Sequence, residues 1–240
     1  MIDKNNKYTI MQKNFYENNS DEMNEGNHLG HNSNSEYWDI LLWDVINNKN
    51  YWNGKIALDF GAGCGRNIIN LLNLYNWKEV IGVDISENNL NHIKQNINLK
   101  FDSKFNNIIK VILSNGIDMN SISSDYVDFV MSTIVLQHIC VWEIRFNILK
   151  EIYRILKNGG LFSFQMGFST KLNEKNRNYF DNFYDAESTN SACDCTVSDP
   201  DQIINDLIIV GFDKNKINYK IGQSWFNEQH ENWIYIKCFK

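Results

Sequence analysis

Proline is nearly absent from this sequence. Pro200 is its single instance in 240 residues crowded with Asn, Lys and Ile, a bias that points to codon supply more than to functional demand. Long apolar runs are absent too. No segment approaches the ~18–20 consecutive apolar residues of a membrane span, and the first residues, M-I-D-K-N-N-K-Y, lack the apolar core of a signal peptide. A cytoplasmic chain without a membrane partner is expected. Cysteine occurs at Cys64, Cys140, Cys193, Cys195 and Cys238, with no C-x-x-C spacing. The C-x-C of Cys193 and Cys195 has no matching pair, so reduced thiols and no bound metal are expected. A basic stripe is also missing. Net charge is −6, and the densest cationic run, Lys171 to Arg177, alternates with Asn and Glu. Capture of phosphate backbones needs clustered Lys and Arg, so no nucleic-acid partner is expected.

What is present suits one good-sized domain. With 43% apolar residues, 240 residues can bury a substantial core without staples. The most informative stretch is Ile56 to Arg66, I-A-L-D-F-G-A-G-C-G-R, followed by V-I-G-V-D ending at Asp84. An apolar strand carries Asp59, turns through Gly61, Gly63 and Gly65, and enters an amphipathic helix; a second apolar strand then ends in a carboxylate. Glycines let a backbone approach a ligand without Cβ clashes. A helix start offers unpaired N–H groups and a positive dipole end. An acid at the tip of the next strand can accept both hydroxyls of a ribose.

The rest of the chain alternates in the same rhythm. Strands are expected over Lys55 to Phe60, Glu79 to Asp84, Ile108 to Leu113, Val127 to Ser132 and Leu161 to Met166. Helices fall at about Gly65 to Tyr75, from the cap Ser86 to about Asn98, and over Trp142 to Leu156, which Lys157-Asn158-Gly159-Gly160 should stop. Near-continuous apolar strands between helices mean a parallel sheet covered on both faces. Residues 167–196 break the rhythm and read as a lid or binding loop. Asp199-Pro200-Asp201-Gln202 then has the form of a capping box with proline at the first helical position. That helix should end near Gly211-Phe212, with late strands at about Lys216 to Ile221 and Trp233 to Phe239. Residues 1–54 form a separate N-terminal helical lid or substrate segment. In it Met23 to Ser35 reads as a loop, and Tyr37, Trp38, Leu41, Leu42 and Val45 recur at helical spacing.

Dinucleotide enzymes place their third glycine three positions after the second. Here the pattern is D-x-G-x-G-x-G with Arg66 following, and it resembles motif I of the class I S-adenosylmethionine-dependent methyltransferases. The resemblance covers residues 55–166 well and 197–240 in pattern. It implies a three-layer α/β/α Rossmann-like fold with a seven-stranded, mostly parallel sheet whose last strand is antiparallel, and a cofactor domain over 55–240 interrupted at 167–196. It further implies that S-adenosyl-L-methionine is held by Asp59, Gly61, Ala62, Gly63 and Arg66 at the methionine end and by Asp84 with Ile85 at the ribose. Asn115 and Gly116 line the adenine, with Asp118 as a rival, and Ser132, Thr133 and Ile134 run beside the cofactor. The Asn/Asp-Pro-Pro-Tyr/Phe motif of adenine and glutamine amide methylation cannot occur in a chain whose one proline is Pro200.

The implied activity is methyl transfer to an O or N atom of a small-molecule acceptor. His138, in the run M-S-T-I-V-L-Q-H-I, is either a general base or a packing residue, and a sulfonium donor can also react without a base. Acceptor-site candidates are Tyr16, His28, His31 and Tyr37 on one side and Tyr179 and Tyr184 on the other, with Trp38, Asp185 and Glu187 nearby. Rival readings are a protein or RNA methyltransferase, a nicotinamide oxidoreductase, and a non-catalytic cofactor-binding partner subunit. The oligomeric state stays open.

Overall fold

A computed structural model of the chain describes residues 4–25, 50–172, 176–185, 194–223 and 230–240. In chain order it holds α1 (Lys4–Asn18), α2 (Ser20–Glu25), β1 (Ile56–Phe60), α3 (Arg66–Leu74), β2 (Glu79–Asp84), α4 (Glu87–Phe101), β3 (Ile109–Leu113), β4 (Val127–Ser132), α5 (Trp142–Ile155), β5 (Leu156–Phe168), β6 (Asn176–Asn178), β7 (Asp194–Thr196), α6 (Pro200–Val210), β8 (Ile217–Gln223) and β9 (Asn232–Phe239). Seven strands form one sheet in the order β3-β2-β1-β4-β5-β9-β8. The first five run parallel, and β9 lies antiparallel to both β5 and β8. The strand order reverses beside β1, so β2 and β4 diverge from it and leave a crevice at their C-terminal ends.

Strand periodicity distributes the core. In β1, Ile56, Leu58 and Phe60 face one layer, with Ile144, Ile148 and Ile152 of α5 and Ile203 and Leu207 of α6. Ala57 faces the other, with Ile68, Leu71 and Leu72 of α3 and Leu90, Ile93 and Ile97 of α4. Side chains two apart share a face, so Asp59 lies on the α3 side. Trp52 joins that layer against Trp77 and Phe129. Among the described residues no helix is long and apolar enough to cross a membrane.

Local chemistry sets the helix ends. The Ser86 hydroxyl accepts from the Asn89 N–H and starts α4. Asp199 and Gln202 form the reciprocal capping box of α6, with Pro200 at its first turn. The expected stop after α5 takes a different form. Helix α5 ends at Ile155 and β5 begins at once, five residues before Leu161. Lys157 to Gly160 sit within β5 as an irregularity between the Val127 and Phe129 pairings, with Gly159 at φ +78°. Gly159 N–H donates to Lys240 O, and Lys240 N–H donates to Gly160 O, so the glycines are stitched to the chain end.

The described parts of the 167–196 segment are anchored. β6 and β7 pair in parallel, and Phe168 bridges Val197. Tyr179 is fully buried, and its hydroxyl donates to Asp206 at 2.7 Å, while the Trp142 indole N–H donates to the same carboxylate oxygen at 2.8 Å. Arg145 donates to the carbonyls of Ile139 and Tyr179. This joins the insertion to α5 and α6. Replacing Asp206 by Ala strands two buried donors, and urea unfolding is expected to register a loss of about 2–4 kcal/mol; Asp206→Asn, which keeps an acceptor, should lose less than about half of that.

Candidate cofactor and acceptor site

The turn from β1 into α3 is left-handed at Gly61 (φ +74°), Gly63 (φ +51°) and Gly65 (φ +96°). A Cβ on Gly61 would stand 2.2 Å from Val135, whereas one on Gly63 would meet nothing within 4 Å. Gly63 therefore opens onto the cavity that the loop lines, and a side chain there would fill a cradle. Gly61 and Ala62 donate to Val83 O at 2.8 and 3.0 Å, and Gly63 N–H donates to Asp84 Oδ2 at 2.8 Å. The other oxygen of Asp84 accepts from Ser86 N–H at 2.9 Å and Asn89 Nδ2 at 3.1 Å. Burial raises the Asp84 carboxyl above its ordinary range against these bonds. The Ile85 backbone contributes a further hydrogen bond, so this carboxylate is engaged from the loop and from the start of α4 together.

Asp59 lies below this surface and is fully buried. Asn67 Nδ2 donates to its Oδ1 at 3.2 Å, and its Oδ2 has no protein partner. Burial pushes its carboxyl up to about 7, moderated by the Asn67 bond and the Arg66 charge. Asn67 and Arg66 also donate to Thr133 Oγ1, at 2.8 and 3.0 Å, which fixes the end of β4 to the start of α3. Ile134, next in line, is held at φ +58°, an uncommon conformation for a β-branched residue. Ser132 is turned inward, its hydroxyl donating to Phe60 O at 3.0 Å.

Above the strand ends lies a cavity of about 250 Å³, at the lower edge of the ~300–1,000 Å³ usual for small-molecule sites. Of the cofactor candidates, Gly61, Ala62, Gly63, Arg66, Asp84, Ile85, Gly116, Thr133 and Ile134 line it, whereas Asp59 and Ser132 lie behind. Asn115 is placed elsewhere: its exposed side chain accepts from Ile117 and Asp118 N–H and donates to Asp118. That turn presents Ser114 and Gly116 to the cavity instead. The open face of Gly63 and the carboxylate of Asp84 at the cavity, with the orphaned Asp59 oxygen behind them, fit a nucleoside that carries a polar, positively charged tail.

Helix α1 roofs the cavity with Tyr8, Thr9, Gln12 and Tyr16, and Met23 of α2 adds to it. Asn88 Nδ2 donates to Glu17 O at 3.2 Å, and Ser20 Oγ donates to Asn89 Oδ1 at 2.7 Å, so this cover is fastened to α4. His138 enters from a 3-10 turn, Leu136–His138. Its Nδ1 stands 2.6 Å from Asp194 Oδ1; Asp194 Oδ2 is 3.3 Å from His230 Nε2, and His230 Nδ1 is 2.8 Å from Thr196 Oγ1. Burial lowers the His138 pKa, but the charge and hydrogen bond of Asp194 outweigh it and the net direction is up. Burial pulls Asp194 upward, yet its two histidines hold it well below the usual carboxylate range. Tyr179 packs against Arg145 away from the cavity, and Tyr184, also outside the lining, stands edge-on to Tyr8 with its hydroxyl donating to Glu143 at 2.8 Å. His28, His31, Tyr37 and Trp38 lie outside the described residues. Tyr8, Thr9 and Gln12, on a helix without an apolar stripe, and Asp194 and His230, remote in sequence and outside any motif, carry no signal in the sequence. Asn89, three residues after a Ser cap, was the one with a usable signal.

Two expectations follow from the loop. Gly63→Ala should fold at a cost of about 1 kcal/mol for its left-handed backbone yet bind S-adenosylhomocysteine at least about tenfold more weakly by calorimetry, because its methyl enters the cradle. Gly61→Ala adds a clash with Val135, and urea unfolding should show a loss of about 2–4 kcal/mol. Asp59 gives a pH signature. The unfolded chain loses this proton near 3.8 and the folded one near 7, so wild-type stability is intact below the lower value and falls as pH rises through the window. Relative to Asp59→Asn, wild-type unfolding free energy should fall between those values by up to ~1.4 kcal/mol per pH unit.

Residues 58–164 match a family model described as a methyltransferase domain. The solved structures that resemble the chain include a phosphoethanolamine N-methyltransferase 2 from Haemonchus contortus in complex with S-adenosyl-L-methionine. It is 17% identical with a TM-score of 0.63, over 86% of this chain and 52% of that one. The chain thus spans about half the length of that enzyme. The [4+2]-cyclase SpnF aligns at 12% identity and a TM-score of 0.58, over 82% of this chain and 78% of that one. An S-adenosylmethionine-dependent methyltransferase from Aquifex aeolicus aligns at 16% and 0.52, over 83% and 91%. At these identities the likeness is one of fold. No curated protein matches the chain. Residues 58–164, somewhat under half of the chain, are thus similar to a methyltransferase domain.

Proposed function

We propose that this protein transfers a methyl group from S-adenosylmethionine to an O or N atom of a small-molecule acceptor enclosed beneath α1. The observation that carries this reading is the juxtaposition, in one cavity, of the glycine loop and Asp84 with His138, whose Nδ1 is 2.6 Å from a buried carboxylate. The donor supplies an already activated methyl on a sulfonium, so holding the acceptor in line contributes much of the rate. Gly61, Ala62, Gly63 and Arg66 would hold its methionine end, and Asp84 and Ile85 its ribose. Ser114, Gly116, Thr133 and Ile134 would flank the rest. Asp59 would act from behind, its orphaned oxygen aligning the loop. His138 would take the acceptor proton on Nε2, the ring nitrogen without a protein partner among the described residues.

The roof favours a small acceptor over a protein or RNA chain. Tyr8, Thr9, Gln12 and Tyr16 cover the cavity, and a polymer would need a continuous open groove. Calorimetry with S-adenosylmethionine and S-adenosylhomocysteine, with NADH as control, tests the donor assignment. Asp84→Ala should weaken donor binding by about tenfold or more; equal binding of NADH, or unchanged affinity in that variant, would overturn it. Transfer of labelled methyl into the low-molecular-weight fraction of a cell extract tests the acceptor. His138→Ala should slow that transfer roughly a hundredfold with donor affinity within about twofold. Because His138 works as a base, the wild-type rate should rise with pH through a value above the ~6.5 of free imidazole; a flat profile would return His138 to a packing role.

A further inference from the structure

Resting on that reading, we infer that the acceptor is a neutral molecule presenting a hydroxyl on an apolar body, and that Asp194 is the positioning residue that sets His138 to remove the hydroxyl proton.

Charge is the first argument. Among the described residues lining the cavity, Arg66 and Asp84 are the side chains of fixed charge. Arg66 Nη2 is turned onto Thr133, and Asp84 is held by Gly63, Ser86 and Asn89. In the proposed reading Arg66 serves the methionine end of the donor and Asp84 its ribose, so neither is left as the counter-ion of an acceptor. An ammonium acceptor calls for a second carboxylate, and a phosphate calls for a cluster of basic donors. The wall beside His138 offers instead Val135, Ile139, Ile144 and Ile148. Such a surface rewards apolar area and excludes a charge that it cannot pair.

The second argument is the construction behind His138. An ionised carboxylate accepts hydrogen bonds and cannot donate them. Asp194, 1% exposed and held ionised by its neighbours, therefore places the hydrogen of neutral His138 on Nδ1 and the lone pair on Nε2. By the same rule His230 donates from Nε2 to Asp194, and its Nδ1 accepts from the Thr196 hydroxyl. Asp194 is thus clamped from both sides before it orients anything. Of the described groups packed on this wall, Tyr8 from α1 engages Cys140 N–H and His138 O, Arg145 of α5 faces backbone carbonyls, and burial keeps the thiol of Cys195 on β7 protonated. A free amine already carries its nucleophilic lone pair, whereas a hydroxyl is a poor nucleophile until its proton leaves. The oxygen gains its methyl as the C–S bond gives way to a C–O bond, and its proton moves to His138 Nε2. The positive charge ends on an imidazolium beside Asp194, and solvent later removes that proton.

The experiment begins with S-adenosylhomocysteine saturation followed by calorimetry; failure at this stage overturns the methyltransferase reading itself. On the saturated protein, 2-naphthol, phosphoethanolamine and sarcosine are titrated in turn. The naphthol is expected to bind at least about tenfold tighter than either charged probe, a difference of ~1.4 kcal/mol. Tighter binding of a charged probe, or no binding of the naphthol, overturns the acceptor class. In wild-type protein, nitrogen-15 spectra of His138 should show the Nδ1–H tautomer, and in Asp194→Asn its pKa should fall by about one unit or more. The Nε2–H tautomer, or an unmoved pKa in the variant, overturns the role of Asp194. The tautomer measurement needs no variant and holds even if Asp194→Asn does not fold.

Discussion

The carboxylate of Asp84, buried at the tip of β2, is the constraint on which the site depends. One oxygen fixes the glycine loop through Gly63 N–H, and the other fixes the start of α4 through Ser86 N–H and Asn89. Asn89 in turn accepts from Ser20 at the start of α2, so the N-terminal cover rests on the same anchor. A loop, a helix start and a roof are thereby set by one ion whose burial is costly unless its hydrogen bonds are complete. The sheet supplies the position: β2 stops where β1 turns away, and the bonds of Asp84 convert that ending into a shaped surface.

Fold and chemistry are separable here. A [4+2]-cyclase shares this architecture, so the seven-stranded sheet does not by itself specify a reaction. What individualises this chain is the assembly over the strand ends. Among the described residues it has an apolar wall from the turn before α5, His138 facing it, and a carboxylate delivered from β7, far along the chain. The same sheet edge with a basic cluster in place of Ile139 and Ile144 would select a different acceptor without disturbing the donor half.

Legibility in the sequence followed locality. The β1 loop and the end of β2 could be read because their signal is short-range: apolar runs, glycines at fixed offsets, and a carboxylate at a strand end. The caps of α4 and α6 were readable for the same reason. Gly159 and Gly160 misled over the start of β5, since a glycine pair reads as a stop whether the chain leaves the sheet or bulges within it. Helix α1 was hidden because its buried face is Tyr8, Thr9 and Gln12, side chains suited to a polar crevice and invisible to apolar periodicity. Tyr179 read as a pocket aromatic, but its hydroxyl belongs to Asp206. Asp194 was out of reach, because its meaning lies in two histidines, one 56 residues before it and one 36 residues after it.

The polar attachment of α1 has a thermodynamic corollary. Lifting α1 breaks its hydrogen bonds to Asn88, Cys140 and His138 and draws the buried ring of Tyr8 out of the core. Such an opening exposes far less surface than unfolding of the sheet beneath it, and so carries the smaller heat-capacity change and the shallower dependence on denaturant. Urea therefore changes the stability of the sheet more steeply than it changes how often the roof lifts. Roof and sheet thus respond to denaturant on different scales although Tyr8 belongs to both.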